Sequence, residues 1–329
     1  MVKITKAQKE LLFMTAPAVG AASSVNYVDS GQSLSIVNRK LFSQEKVYGI
    51  ESVEFVYAPT YTAGVLDFDT VALTITNCLD TWPVHNGYVK GRALHAQMQE
   101  LVLEDNPSVK GKWSEFKVYL DSNHRTEVVS GVGNITPVDS LGNSYLAGEW
   151  DYSQFILPQH DVDPVTGQPL PADECSAHLL GANLGVPGSF QSCGLVEAYA
   201  LSRATVQPED PSVPAGFESS FFNLLTDSGS QEPELALEIA GENDQPPYDQ
   251  LNYPGGATNG PAPPFTDLIV TNVNSPNGVL PGFVAPCGLF SIAVQASLLG
   301  ARVDTPAMFV RVTYAPGMYK GVAAIDMGQ

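Results

Sequence analysis

The residues of this chain best suited to metal or nucleophile chemistry are five histidines and four cysteines, and their spacing forms no recognisable site. His85, His95, His124, His160 and His178 fall neither in H-E-x-x-H nor in the H-x-E with P-C-x-x-C of hydrolytic zinc sites. Cys78, Cys175, Cys193 and Cys287 include no C-x-x-C pair and no zinc-finger spacing. Cys175 and Cys193 could close a disulfide across a loop, whereas Cys78 and Cys287 lie in apolar stretches and read as small buried thiols. There is no G-x-S-x-G nucleophile elbow, no G-x-x-x-x-G-K-[ST] phosphate loop and no dinucleotide fingerprint, which argues against the common enzymes built on parallel sheets. In DVDPVTG, Asp161 and Asp163 precede a glycine as in a calcium loop, and Asp173 and Glu174 could approach them. Calcium needs six to eight oxygens, however, and the EF-hand's third acid and closing Glu are missing, so an Asp-Pro turn is the simpler reading and no cofactor is expected. A glycosidase's two carboxylates would come from distant strands, and in so acidic a chain any such pairing carries no weight.

Two lysine groups and a few aromatic residues are the remaining candidates for binding. Lys3, Lys6 and Lys9 share one side of a short N-terminal helix or arm, and Lys110, Lys112 and Lys117 form a second cluster. Phosphate contacts need clustered cations, and a chain of net charge −19 repels nucleic acid except where such a cluster faces it alone. Three lysines give little affinity singly, but many copies in one assembly would sum by avidity. Trp82, Trp113, Trp150, Tyr248, Tyr253 and Phe265 could line a sugar- or peptide-binding surface. The tryptophans read more simply as core or sheet-edge packing, which leaves Tyr248 and Tyr253, on a polar loop, as the better partner contacts.

The charge is unevenly placed. Residues 1–125 have a net charge of −1 and residues 302–329 of +1, while residues 126–301 hold 20 acids against a single base, Arg203. Unpaired carboxylates cost several kcal/mol each to bury, so this block must face water. Solvated acid runs serve solubility, and here they also fit the outer face of a particle whose charge-balanced flanks form the packed framework. The N-terminal sequence MVKITKAQKELLFMTAPAVGAASS has lysines, an apolar run and small residues in the order of a secretory signal. Glu10 precedes that run, and Pro17 and Gly20 interrupt it, which argues against a leader. No stretch reaches the eighteen or so apolar residues of a membrane span.

The elements that must position these residues are mostly strands. Only 16% of residues are charged, while 29 Gly and 25 Pro supply many turns. Strand patterns occur at 33–42, 49–59, 69–78, 115–121, 126–135, 145–157, 195–206, 234–240, 267–273, 288–296, 307–315 and 321–326. The exception is 86–111, where Leu94, Met98, Leu101 and Val102 form the apolar stripe of an amphipathic helix, with Lys90, Arg92, Gln97, Gln99, Glu100 and Glu104 outside it. A shorter helix fits 215–226. Segments 157–174 and 241–265 are dense in Pro, Gly, Asn and Asp and read as long surface loops. The expected fold is therefore all-β: an antiparallel jelly-roll sandwich with an inserted amphipathic helix and long surface loops. Residues 1–30 would be an N-terminal arm and 31–329 the sandwich, carrying acidic loop insertions at 157–194 and 207–265.

The size, the strand count, the helix VKGRALHAQMQELVLEDNPS between strands and the closing LPGFVAPCGLFSIAVQ…FVRVTYAPGMYKGVAAIDM together give a likeness to a known class. The chain resembles jelly-roll capsid proteins of small non-enveloped viruses, particularly those of environmental circular single-stranded DNA viruses. The resemblance implies a non-enzymatic virion protein that assembles with many copies of itself into an icosahedral shell around the genome and meets a host-cell receptor. Capsid proteins of that kind usually carry an Arg-rich N-terminal arm, and this chain starts with three lysines only. That departure shifts genome contact toward other inner-surface residues such as Lys110 and Lys112. The rival expectation is a secreted or surface β-sandwich that binds carbohydrate or protein.

Overall fold

The computed structural model describes residues 7–20, 23–56, 60–109, 115–157, 173–186, 189–203, 255–256, 265–272 and 274–328. The chain opens with β1 (Glu10–Met14), β2 (Ser24–Asp29), helix α1 (Ser30–Asn38), β3 (Lys46–Val56) and β4 (Thr70–Asn77). A long insertion then contributes α2 (Trp82–Asp105), β5 (Tyr119–Asp121), α3 (Ser122–Val129), β6 (Pro137–Val138), β7 (Gln154–Leu157), β8 (Asp173–Leu180), β9 (Ser189–Gly194) and α4 (Leu195–Arg203). It closes with β10 (Phe265–Asn272), β11 (Asn277–Ala285), β12 (Leu289–Leu298) and β13 (Phe309–Tyr314).

Outside the insertion, the pairing is that of one long hairpin folded over. β1 pairs antiparallel with β13 (Glu10↔Thr313), β2 with β12 (Asp29↔Leu289), β3 with β11 (Tyr48↔Ala285) and β4 with β10 (Asn77↔Phe265), and short strands at 316–319 and 324–326 follow β13. Ladders β3–β13 and β4–β12 join these pairs into two sheets, one ordered β11–β3–β13–β1–β6 with residues 324–326 also on β3, the other ordered β10–β4–β12–β2 with residues 301–302 also on β12. The sequence explains why the two sheets face each other. In β4 the alternation turns Val71, Leu73 and Ile75 inward and threonines outward, and in β13 it buries Val310, Val312 and Tyr314. These residues meet Phe13, Val53, Phe55, Phe290 and Ile292 in one core. Fully burying each such side chain stabilises by about 1.5–3 kcal/mol.

The insertion has its own small mixed sheet, in which β8 runs parallel to β5 and β9 and antiparallel to β7. Its core of Val84, Tyr88, Phe116, Val118, Leu179 and Val196 is continuous with Tyr27, Val47, Cys287 and Leu289 at one end of the sandwich. The protein is thus mostly β, with several antiparallel sheets, as a β-sandwich requires, and with four α-helices among the described residues.

Three segments whose composition reads as strand are helices. Segment 33–42 lies largely in α1, 126–135 begins in α3, and 195–206 begins in α4. In the first two, an aspartate at the end of the preceding strand caps the helix: Asp29 accepts from Gln32 N at 3.1 Å and Asp121 from His124 N at 2.7 Å. Such a cap contributes about 1 kcal/mol, enough to override the weak strand preference of a few β-branched residues. In α4, Leu195, Val196 and Tyr199 are buried together at helical spacing.

Helix α2 forms as the sequence predicts but buries a different face. Val84, Tyr88, Gly91 and His95 are buried, while Leu94, Leu101 and Val102 are 45%, 65% and 47% exposed. Small residues mark the inner face. A Cβ on Gly87 would lie 2.8 Å from Leu195 O, and one on Gly91 3.1 Å from Phe116, so α4 and the Phe116 ring approach the helix where side chains are missing. Within the expected arm of residues 1–30, residues 10–14 and 24–29 are sheet strands. Of the expected loop at 157–194, residues 173–180, 184–186 and 189–194 are strands. Residues 158–172, nearly all of 204–264, and with them the helix expected at 215–226 and the strand at 234–240, lie outside the described residues.

Candidate functional site

The densest set of polar side chains sits where the insertion meets the sandwich. Asp29, fully buried, ends β2 and starts α1. Its Oδ2 accepts from Gln44 Nε2 and from Trp150 Nε1, both at 2.8 Å, while Gln44 also exchanges hydrogen bonds with the Val118 backbone. Asn134 Nδ2 donates to Gln32 Oε1 at 2.9 Å and to the Tyr152 hydroxyl at 2.7 Å. His124 completes the set. Its Nδ1 accepts from Leu120 N at 3.0 Å, which leaves the proton on Nε2, 2.6 Å from Asn134 Oδ1, and its ring stacks on Tyr27 with centroids 4.4 Å apart.

Burial sets the protonation here. It pushes the Asp29 carboxyl upward against the pull of its donors, and it lowers His124 to about 4, so the imidazole is neutral at pH 7. Glu115, bonded to Ser43, is raised and Lys117 lowered by the same desolvation. Asp29 is closed to solvent and its partners belong to the cluster, so the arrangement clasps α1, residues 115–118 and residues 150–152 together and offers no carboxylate to a substrate.

Two of the concave surfaces among the described residues bear on binding. One, a cleft of about 380 Å³, lies over this cluster between α1 and residues 146–150, lined by Gln32, Arg39, Leu41, Leu146, Glu149 and Trp150. The Trp150 ring is held by the Asp29 bond and has Lys117 Nζ 5.0 Å from its centroid. The other, an open groove of about 760 Å³, lies at the opposite end of the sandwich, where the β1–β2, β3–β4 and β12–β13 connections meet. It presents Asp67, Arg302 and Asp304, and Gly20 N donates to Asp304 Oδ1 at 2.7 Å. Both surfaces offer hydrogen bonds to a partner, and the first also offers the Trp150 ring.

The residues singled out in the sequence are scattered. Lys3, Lys6, Lys110 and Lys112 lie outside the described residues, as do His160, Asp161, Asp163, Trp113, Tyr248 and Tyr253. Lys9 is half-buried at the start of β1, and its carbonyl accepts from Tyr314 N at 3.0 Å. Lys117 does not belong to a surface cluster. It is buried, with Nζ donating to Asp151 O at 3.2 Å, and cannot reach a phosphate. His95 is buried against Phe116 and Phe155. His178 is buried too, with Nδ1 2.7 Å from Ser192 Oγ, and is lowered to about 4 by burial. Cys78 and Cys287 are fully buried, and burial pushes Cys78 up to about 12. The Cys175 and Cys193 sulfurs lie 3.3 Å apart as free thiols. Among the described residues no group of three or more His, Cys, Asp or Glu could hold a metal ion, and no helix is long and apolar enough to cross a membrane. The Asp29 cluster escapes sequence reasoning because its members span residues 29 to 152, although an Asp followed by Ser-Gly-Gln is a readable helix cap.

Comparison with protein-family models, curated proteins and solved structures finds no match to the chain.

Proposed function

We propose that this chain is a jelly-roll capsid subunit that assembles with copies of itself into an icosahedral shell around a viral genome, in the manner of the capsid proteins of small single-stranded DNA viruses. The observation that carries the reading is the folded-hairpin pairing of eight long strands, β1 with β13, β2 with β12, β3 with β11 and β4 with β10, across the two main sheets. Such a pairing supports reading the fold as the double Greek key of a jelly roll, an architecture used by capsid proteins and also by lectins and cupins. The fold alone does not choose among these. The charge distribution favours a shell. Flanks of net charge −1 and +1 hold five of these eight strands, β1–β4 and β13. Residues 265–298, which hold the other three, carry the single charge of Asp267, so the strand framework can pack against copies without like-charge repulsion. The acidic middle segment supplies an outward, water-facing surface that keeps particles apart. In this reading the protein is structural rather than enzymatic, resides in the virion, and touches the genome through Lys3, Lys6, Lys9, Lys110 and Lys112.

Negative-stain microscopy of the purified chain, at low and high salt with and without calcium, tests the proposal. Uniform closed particles are expected; a monodisperse monomer under every condition refutes it. A second reading, a β-sandwich binding module for carbohydrate, rests on the Trp150 cleft with its flanking Gln32, Arg39 and Glu149. Saturable quenching of tryptophan emission by an oligosaccharide such as lactose, lost in Arg39→Ala and Glu149→Gln, would favour it.

A further inference from the structure

Helix α2 carries two stripes at heptad spacing. One, Val84, Tyr88, Gly91 and His95, packs on the core of its own subunit. The other, Lys90, Leu94, Gln97, Leu101 and Glu104, recurs at spacings of 4, 3, 4 and 3, and every member is exposed. Spacing of that kind is the seam of a helix pair. The charges along it run from Lys90 near one end to Glu104 and Asp105 at the other, with Gln97 in the middle. Lys90 is held over the Tyr199 ring with Nζ 5.1 Å from its centroid, which fixes the cation beside the seam.

This charge order opposes the helix's own field. The last turn holds Glu104 and Asp105 and no basic residue, and the first turn holds no acid. Carboxylates at a helix C-terminus are unfavourable, and a cation brought in from outside would relieve them. A second α2 lying antiparallel supplies that cation. With the two-fold axis near Gln97, Leu94 of one copy falls beside Leu101 of the other, and Lys90 beside Glu104 and Asp105, at both ends at once. An isologous contact requires this kind of self-complementarity.

We infer that the exposed stripe of α2 is a two-fold contact between copies of this chain. The inference rests on the shell reading for its strength. Two exposed leucines per copy cannot bury the ~1,200 Å² that an independent dimer needs, so the contact acts where other contacts in an assembly hold the subunits together.

The test uses full-length Lys90→Glu and full-length Glu104→Lys/Asp105→Lys, which carry surface charges only and are checked for folding by circular dichroism. Each variant alone faces like charges at both ends of the seam, and its self-association in sedimentation velocity falls by about tenfold or more, as does its yield of particles. An equimolar mixture restores opposite charges at both ends and recovers association to within about threefold of the unmodified chain. No loss in the single variants, or no recovery on mixing, overturns the inference. A benzophenone attached to Gln97→Cys gives the second readout: a cross-link between two copies at residue 97 or its neighbours supports the contact. Cross-links confined to the same chain would assign the stripe to an internal cover and overturn it. The two readings fail separately. Particles indifferent to the charge changes sink the helix pairing and spare the shell, whereas charge-rescued dimers that never close into particles sink the shell and spare the pairing.

Discussion

Substituting His124 by Gln should flatten the pH dependence of stability. His124 is buried and neutral, its Nδ1 accepting from Leu120 N and its Nε2 proton facing Asn134 Oδ1. In the unfolded chain the imidazole takes up a proton near pH 6.5, but in the folded protein it resists until about pH 4. The unfolded state therefore binds more protons across that window, and stability present above pH 6.5 is lost as the pH falls. At 1.36 kcal/mol per pH unit, the full loss is about 3 kcal/mol below pH 4, of which about 2 kcal/mol appears between pH 7 and pH 5. The buried carboxyls of Asp29, Asp121 and Glu115, raised by desolvation, act in the opposite sense, so the unmodified protein's own curve is a composite. The difference between the two proteins isolates the histidine. Urea unfolding of both at pH 7, 6 and 5 should show His124→Gln less stable at pH 7, through its altered hydrogen bonds, and the gap narrowing by about 2 kcal/mol by pH 5. A constant gap across this range would mean that His124 titrates alike folded and unfolded, and the picture of a sealed neutral cluster would fall.

Three further outcomes follow from the packing. Gly87→Ala gains about 1 kcal/mol of helix propensity, but its Cβ would lie 2.8 Å from Leu195 O, and overpacking against backbone costs about 1–3 kcal/mol; thermal unfolding should show a net loss, and a gain would mean that α4 does not press on α2 there. Incubation with oxidised glutathione should join Cys175 to Cys193, the two thiols giving up two protons and two electrons; closing that loop should add about 3 kcal/mol to stability, and alkylation of all four thiols after oxidation and unfolding would refute it. Removing residues 1–6 together with Lys9→Gln should lower the nucleic-acid content of shells, while Ala7 onward keeps β1 and the Lys9 carbonyl bond to Tyr314 intact; an unchanged ratio of nucleic-acid to protein absorbance would remove Lys3, Lys6 and Lys9 from genome contact.

Strands that alternate cleanly are legible in the sequence because one face meets the core and the other meets water. Those at 49–59, 69–78, 267–273, 288–296 and 307–315 all appear, within a few residues at their ends. The misread segments are short, and there a single capping aspartate or a helical face such as that of Leu195 and Val196 outweighs β-branched composition. The wrong face of α2 has a related cause: Leu94, Leu101 and Val102 lie outside while only Met98 of the expected stripe packs on the core, and on the inner face Val84 and Tyr88 are interspersed with Gly87 and Gly91, which a search for hydrophobic stripes passes over. The Asp29 cluster is illegible for a different reason. Its partners come from five separate stretches of chain, and no local spacing encodes their meeting.

The pairing of β1–β4 with β10–β13 also governs when the protein can fold. Among the described residues, none of β1–β4 bonds to another of the four; their ladder partners lie in β10–β13, except that β1 also pairs with β6 and β3 also pairs with residues 324–326. A ribosome making about 10 residues per second therefore holds β2, β3 and β4 without a ladder partner, and β1 with β6 alone, for roughly 20 s while residues 78–264 emerge. The loops that must close are almost as long as the chain, and long-range antiparallel pairing is slow. Chaperone protection during that interval is a requirement of the topology itself. A second newly made chain offers the same missing partners, so crowded synthesis favours exchange of C-terminal strands between neighbours.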